Sequence, residues 1–147
     1  MKEFIREFFD YNYQINKELG KRFQSYNHQL DTEICRLANH ILNAQKVWID
    51  RIKQNKPNIK PWDDFPIESF SERNEQLNQE IQSVLDSREV EEMISYRNFS
   101  GARFESRILD VLMHLVNHST YHRGQIAMLM RKKGLEPISS DYIHFKK

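Results

Sequence analysis

One cysteine, four glycines and four prolines are spread over 147 residues. The lone thiol, Cys35, forms no intrachain disulfide, and a thiolate zinc site would need several cysteines. Sandwiches and barrels consume turn residues about every 8–12 positions, so this scarcity excludes them and leaves an all-helical chain. No apolar run approaches the roughly 18 residues of a membrane span. The opening MKEFIREFFDYNYQIN interleaves charge with aromatics and holds no leader-like apolar stretch. A soluble, cytoplasmic protein with no membrane partner is expected. Charge of one sign is also lacking, with 22 Lys and Arg against 21 Asp and Glu. Nucleic-acid binders carry a concentrated basic footprint, so no nucleic-acid partner is expected. Without repeats, low-complexity tracts or charge blocks, residues 1–147 read as a single domain.

What is present is helical periodicity. At about 100° per residue, four apolar stripes can be traced. The first helix covers 2–25, where Ile5, Phe8, Phe9, Ile15, Leu19 and Phe23 share one arc. Asn12 and Asn16 fall inside that arc and must find hydrogen-bond partners or face a polar cavity. Gly20 weakens this helix by about 1 kcal/mol relative to Ala. The second helix covers 32–54, with Asp31 as N-cap and Ile34, Leu37, Ala38, Ile41, Ala44, Trp48 and Ile52 on one side. Pro57, Pro61 and Pro66 forbid helix across 55–68, which reads as a long crossover anchored by Trp62 and Phe65. Ser69 and Glu72 have capping-box spacing and open the third helix, whose stripe is Leu77, Ile81, Val84, Leu85, then Met93 or Ile94. Residues 95–103 form a connector with room for a short extended piece, and the last helix runs from 104 to 133, stopped by Gly134 and Pro137. In the tail, 138–147, Tyr142, Ile143 and Phe145 are expected to dock. The reading is an all-α four-helix bundle with a long crossover between helices two and three.

Three of the six histidines lie on the last helix, at 114, 118 and 122. Spacing of i and i+4 lets one helix face grip one ion, whereas the 114/122 pair is about 12 Å apart. Two pairs remain, and helical phase separates them. Relative to Ile108, His122 falls at about −40°, inside the apolar stripe, His118 at about −80°, and His114 at about −120°, toward the rim. The pair 118/122 is preferred. A two-histidine site needs a ligand from another helix, and His40 is the histidine placed mid-helix elsewhere; its phase, on the flank near Leu37 and Ala44, permits the role without demanding it. Three imidazoles plus water form an open site for zinc, and nickel or ferrous iron also accept them. The plain alternative is a set of hydrogen-bonded core histidines. His28 and His144 read as surface residues. An HExxH peptidase is excluded because Ser119 follows His118, and a di-iron carboxylate bundle is excluded because no histidine has Glu three positions earlier. Asp110 lies nearly opposite the stripe, so no carboxylate on this helix shares the metal face and no catalytic base is nominated.

The segment His118–Gln125, HSTYHRGQ, resembles the DinB/YfiT superfamily of small metal-binding four-helix proteins. The resemblance extends through Tyr11-Asn12, His40 with Trp48, Asn98-Phe99-Ser100-Gly101 and the tail, nearly the whole chain. It implies an up-down-down-up bundle, one divalent ion held by His40, His118 and His122 between helices two and four, and a homodimer. A tryptophan is frequent in the family where this chain has Gln14, which puts the helix-one packing or cavity lining in doubt.

Relatives of this type include enzymes that transfer or isomerise groups with low-molecular-weight thiols, and metal-dependent hydrolases. The implied function is a metal-dependent enzyme of thiol S-transferase or hydrolase type acting on a small molecule. Asn12, Arg123 and Gln125 are cavity or ligand-supporting candidates, with helix packing as the equal alternative for Arg123-Gly124-Gln125. The competing reading is a non-catalytic module in which the ion staples two helices.

Overall fold

The computed structural model describes residues 1–146. The first helix, α1, spans Lys2–Ser25 and buries Ile5, Phe9, Ile15, Leu19 and Phe23 as its phase requires. Helix α2 spans Thr32–Ile52, where Asp31 accepts a hydrogen bond from the Ile34 amide at 2.9 Å and so caps the first turn. It ends two residues short of the expected boundary because the chain turns left-handed at Gln54, φ 61°. The freed Arg51 and Ile52 carbonyls accept from Gln54 Nε2 and the Arg88 guanidinium. Helix α3 spans Phe70–Ser87 behind a short 3-10 turn at Ile67–Ser69. The expected capping box does not form, since Ser69 Oγ donates back to the Pro66 carbonyl at 2.6 Å inside that turn.

Cross-helix pairs give the helix directions. Arg6 meets Asp86 and Phe23 meets Phe70, so α1 and α3 run antiparallel. Asn39 meets Arg73, Lys46 meets Glu80 and Ile52 meets Arg88, so α2 and α3 run parallel. Two consecutive parallel helices require a connection that travels back along their length, and residues 53–69 do this. Near the other end of α1, a Cβ on Gly20 would collide with Ser71 Oγ, so this glycine admits the first turn of α3. Its propensity cost is offset by that close approach.

The all-α expectation fails at the connector. Met93–Arg97 (β1) and Arg103–Arg107 (β2) pair as an antiparallel hairpin, in register from Met93 with Arg107 to Arg97 with Arg103. Met93 and Ile94 therefore do not continue α3, and α4 begins at Ile108 rather than Phe104, running to Lys132. Scarcity of glycine excludes a large sheet but not one hairpin, whose turn needs a single left-handed position. Gly101 supplies it at φ 90°, and Asn98 Oδ1 accepts from the Ser100 and Ala102 amides. The strand period is visible in Ile94 and Tyr96, which face the bundle while Met93 and Arg97 face out.

A fifth helix, α5 (Tyr142–Phe145), also departs from the four-helix reading. Tyr142 packs on Phe8 and Tyr11, Phe145 packs on Tyr11, and the Tyr11 hydroxyl donates to the Ser140 carbonyl at 2.6 Å. Ile143, expected to dock with them, is exposed instead. Among the described residues no helix is long and apolar enough to cross a membrane.

Candidate metal centre

Helix α2 is buried around nearly its whole circumference, so its polar residues must be satisfied within the protein. The crossover meets that need, because its backbone carbonyls have no helix or sheet to accept from. Asn39 Nδ2 donates to the Phe65 carbonyl and Asn43 Nδ2 to the Asp63 carbonyl, each at 2.8 Å. His40 Nδ1 donates to the Pro61 carbonyl at 2.8 Å. A carbonyl only accepts, so this contact fixes the proton on Nδ1 and leaves Nε2 bare, aimed at α4. The indole of Trp62 lies flat on the His40 ring, with centroids 3.6 Å apart and planes within 3°. The crossover anchor expected at Trp62 thus acts directly on the His40 ring.

From the facing helix, His118 Nε2 approaches His40 Nε2 to 3.0 Å. His122, one turn further on, donates from Nδ1 to Gln125 Oε1 at 2.7 Å, which leaves its Nε2 free. The ligand nitrogens of His40, His118 and His122 all lie within 4.8 Å of one another. Three nitrogens bound at about 2.0–2.1 Å to one ion stand roughly 3–3.5 Å apart, so small ring rotations close the triangle. Among the described residues no fourth His, Cys, Asp or Glu joins the group. His118 Nδ1 is buried with no partner, so this ring is the one the protein holds least firmly. The donor set therefore fits one divalent ion with an open position.

The electrostatics suit a cation other than a proton. Burial pushes the His118 imidazole down to about 3, helped by the neighbouring rings of His122, His40 and His114. Burial also lowers His40, against the opposing pull of the Pro61 carbonyl. Both rings are neutral at pH 7, with lone pairs available.

His114 is exposed, lies against Trp48 and stays outside the triangle, as its phase indicates. His28 and His144 are exposed. Arg123 does not reach the histidines. Buried at 4% exposure, it donates from one terminal nitrogen to Asn12 Oδ1 at 2.7 Å and Asn16 Oδ1 at 2.9 Å, tying α4 to α1. Asn12 is thus committed to this strut rather than to a cavity beside the histidines. Gly124 does not admit a neighbouring helix, since a Cβ there would meet nothing within 4 Å. Gln14 is exposed.

Beside His122 opens a groove of about 370 Å³ walled by Trp62, Tyr121 and Met128, with Glu33 and Arg36 paired at 3.0 Å. Glu33 shows what helical phase on α4 alone misses, a carboxylate brought to this face by α2. Asp110 is paired with Arg107 at the surface.

The DinB family model matches residues 1–147. The chain belongs to the DinB family. Among curated proteins, Protein DinB of Bacillus subtilis (strain 168) is 32% identical over 73 residues, which are 50% of this chain and 35% of that protein. The match spans about a third of the relative's own length.

Proposed function

We propose that this DinB-family chain holds one divalent ion on His40, His118 and His122 and is a metal-dependent enzyme acting on small molecules, of thiol S-transferase or hydrolase type. The observation that carries the reading is the bare Nε2 of His40, fixed by the Pro61 carbonyl and 3.0 Å from His118 Nε2. Two buried imidazole nitrogens so close need a shared proton or a shared cation between them. Bound there, a divalent ion would acidify a water or thiol at its open position.

The chain's own residues supply the rest. Gln125 and Pro61 hold two rings in the ligating tautomer, and Trp62 keeps water from one face of His40. Glu33 and Arg36 line the groove and would offer a substrate seated there a carboxylate and a cation. A groove of about 370 Å³ suits a small ligand or the reactive end of a larger one. Zinc, nickel and iron all accept three imidazoles, and donor type does not choose among them.

Metal analysis of the purified protein, followed by a screen of low-molecular-weight thiols with electrophilic acceptors and of small esters and amides, tests the reading. Turnover that disappears on chelation and returns with metal is the expected result. Stoichiometric metal without turnover across the panel favours the module whose ion staples α2 to α4. Family membership supports a homodimer, which light scattering would register as twice the 17.8 kDa chain mass.

A further inference from the structure

Away from the His40–His118–His122 cluster, the start of the crossover and the β1–β2 turn meet at the C-terminal end of α2 and enclose a pocket of about 470 Å³. Arg51 lines it and is only 8% exposed. Its guanidinium carbon lies 4.5 Å from the Trp48 ring centroid, 5.2 Å from Tyr96 and 5.3 Å from Phe99. Ring faces attract the charge, but they do not replace acceptors in the guanidinium plane. Nε is buried without a partner. The neighbouring carboxylate, Asp50, pairs with Lys46 at 3.2 Å instead. A buried cation with an unmet donor is costly to keep unless something completes it.

The rest of the lining indicates what completes it. Lys56 and Arg97 are the other charged residues there, and among the described residues no carboxylate faces the pocket. In a chain of net charge +1, this is a local concentration of one sign. Tyr96 and Phe99 add flat apolar walls, and Gln54 and Asn98 add neutral polar groups. A guanidinium fork matches a carboxylate in its own plane, and aromatic walls favour a flat body behind that group.

We propose that this pocket is a second small-molecule site, which binds a flat aromatic carboxylate with the anionic group on Arg51. It is distinct from the histidine cluster, because Arg51 lies about 16 Å along α2 from His40.

Isothermal titration of benzoate into the full-length protein at low salt tests this, with benzamide as the neutral counterpart, acetate as the anion without a ring, and backbone amide shifts to report location. Saturable benzoate binding is expected, with shifts concentrated in residues 95–101. Benzamide and acetate should bind at least about tenfold more weakly, as should benzoate to Arg51→Gln. Removing both exposed cations, Lys56→Gln with Arg97→Gln, should weaken benzoate roughly threefold or more. His118→Ala should leave the affinity unchanged, which separates this site from anion capture at a metal. No saturable binding below about 20 mM overturns the proposal. So do shifts centred on residues 118–125, or full affinity in Arg51→Gln. If Arg51→Gln fails to fold by circular dichroism, the double variant decides, and unchanged benzoate affinity there overturns the proposal.

Discussion

Gln125 Oε1 accepts a hydrogen bond from His122 Nδ1 across 2.7 Å, and that contact sets which nitrogen of His122 faces the other two imidazoles. A glutamine three residues beyond His122, on the same helix, thereby decides a tautomer.

That contact can be removed without removing a ligand. Gln125→Leu is expected to lower metal affinity about 10–100-fold, and Gln125→Glu, which keeps an acceptor, to lower it far less. Competition against a chromogenic chelator measures both. Equal affinity in Gln125→Leu and the parent would show that the contact does not orient the ring.

The ligand assignment makes a sharper prediction. His40→Ala, His118→Ala and His122→Ala should each lose stoichiometric metal after dialysis, whereas His114→Ala should retain it. Elemental analysis by plasma mass spectrometry gives the metal-to-protein ratio. Full occupancy in any of the first three would reject that residue as a ligand.

Arg123 leads to a prediction about stability rather than metal. Replacing it with Ala strands the side-chain oxygens of Asn12 and Asn16 in the interior and opens a cavity, at an expected cost of about 3–5 kcal/mol. Asn12→Ala should cost about 1–3 kcal/mol by leaving a buried guanidinium donor short of an acceptor. Urea melts give both values, and metal content per folded molecule should not change. A metal-depleted but fully stable Asn12→Ala would place Asn12 at the ion after all.

The pH dependence of the metal-free protein follows from His118. Its folded value of about 3 lies below the 6.5 of an unperturbed imidazole. As pH falls through about 6.5, the unfolded chain takes up a proton that the folded chain refuses. The stability tied to neutral His118 is therefore complete above about pH 6.5 and declines on acidification toward 3. Solvent access to a half-buried ring keeps the slope below the ~1.4 kcal/mol per pH unit of one full proton. Melts of metal-free protein at about pH 7 and pH 5 should show the loss, and His118→Gln should reduce it. An identical slope in the variant would exclude His118 as a source.

Where reading the sequence succeeded, local geometry was sufficient. Helical phase put His122 inward, His118 at the core edge and His114 at the rim, because side chains four apart share a face whatever else the chain does. Asp31 capped α2 for the same reason, its partner being three residues away. Two of the readings that failed involved a competing local partner. Ser69 turned back to Pro66, and the segment from Met93 to Arg107 paired with itself across Gly101 instead of extending its neighbouring helices. Arg123 and Gln125, two residues apart in the same motif, split their roles: Arg123 reaches α1 and Gln125 bonds His122 on its own helix, which motif spacing alone left open.

The sequence by itself determined the four long helices to within a few residues, their inward faces and the i,i+4 histidine spacing on α4, all properties of contacts within about one turn. Only the tertiary structure decided that His40 meets His118 across 78 residues of chain, and that the Pro61 carbonyl and the Trp62 ring orient and cover it. It also decided that Glu33 reaches the groove and that Arg51 is enclosed by three aromatic rings. The reason is physical: a backbone carbonyl is the same in every residue and leaves no mark in composition. The gap between two helices depends on every side chain packed between them, not on either sequence alone.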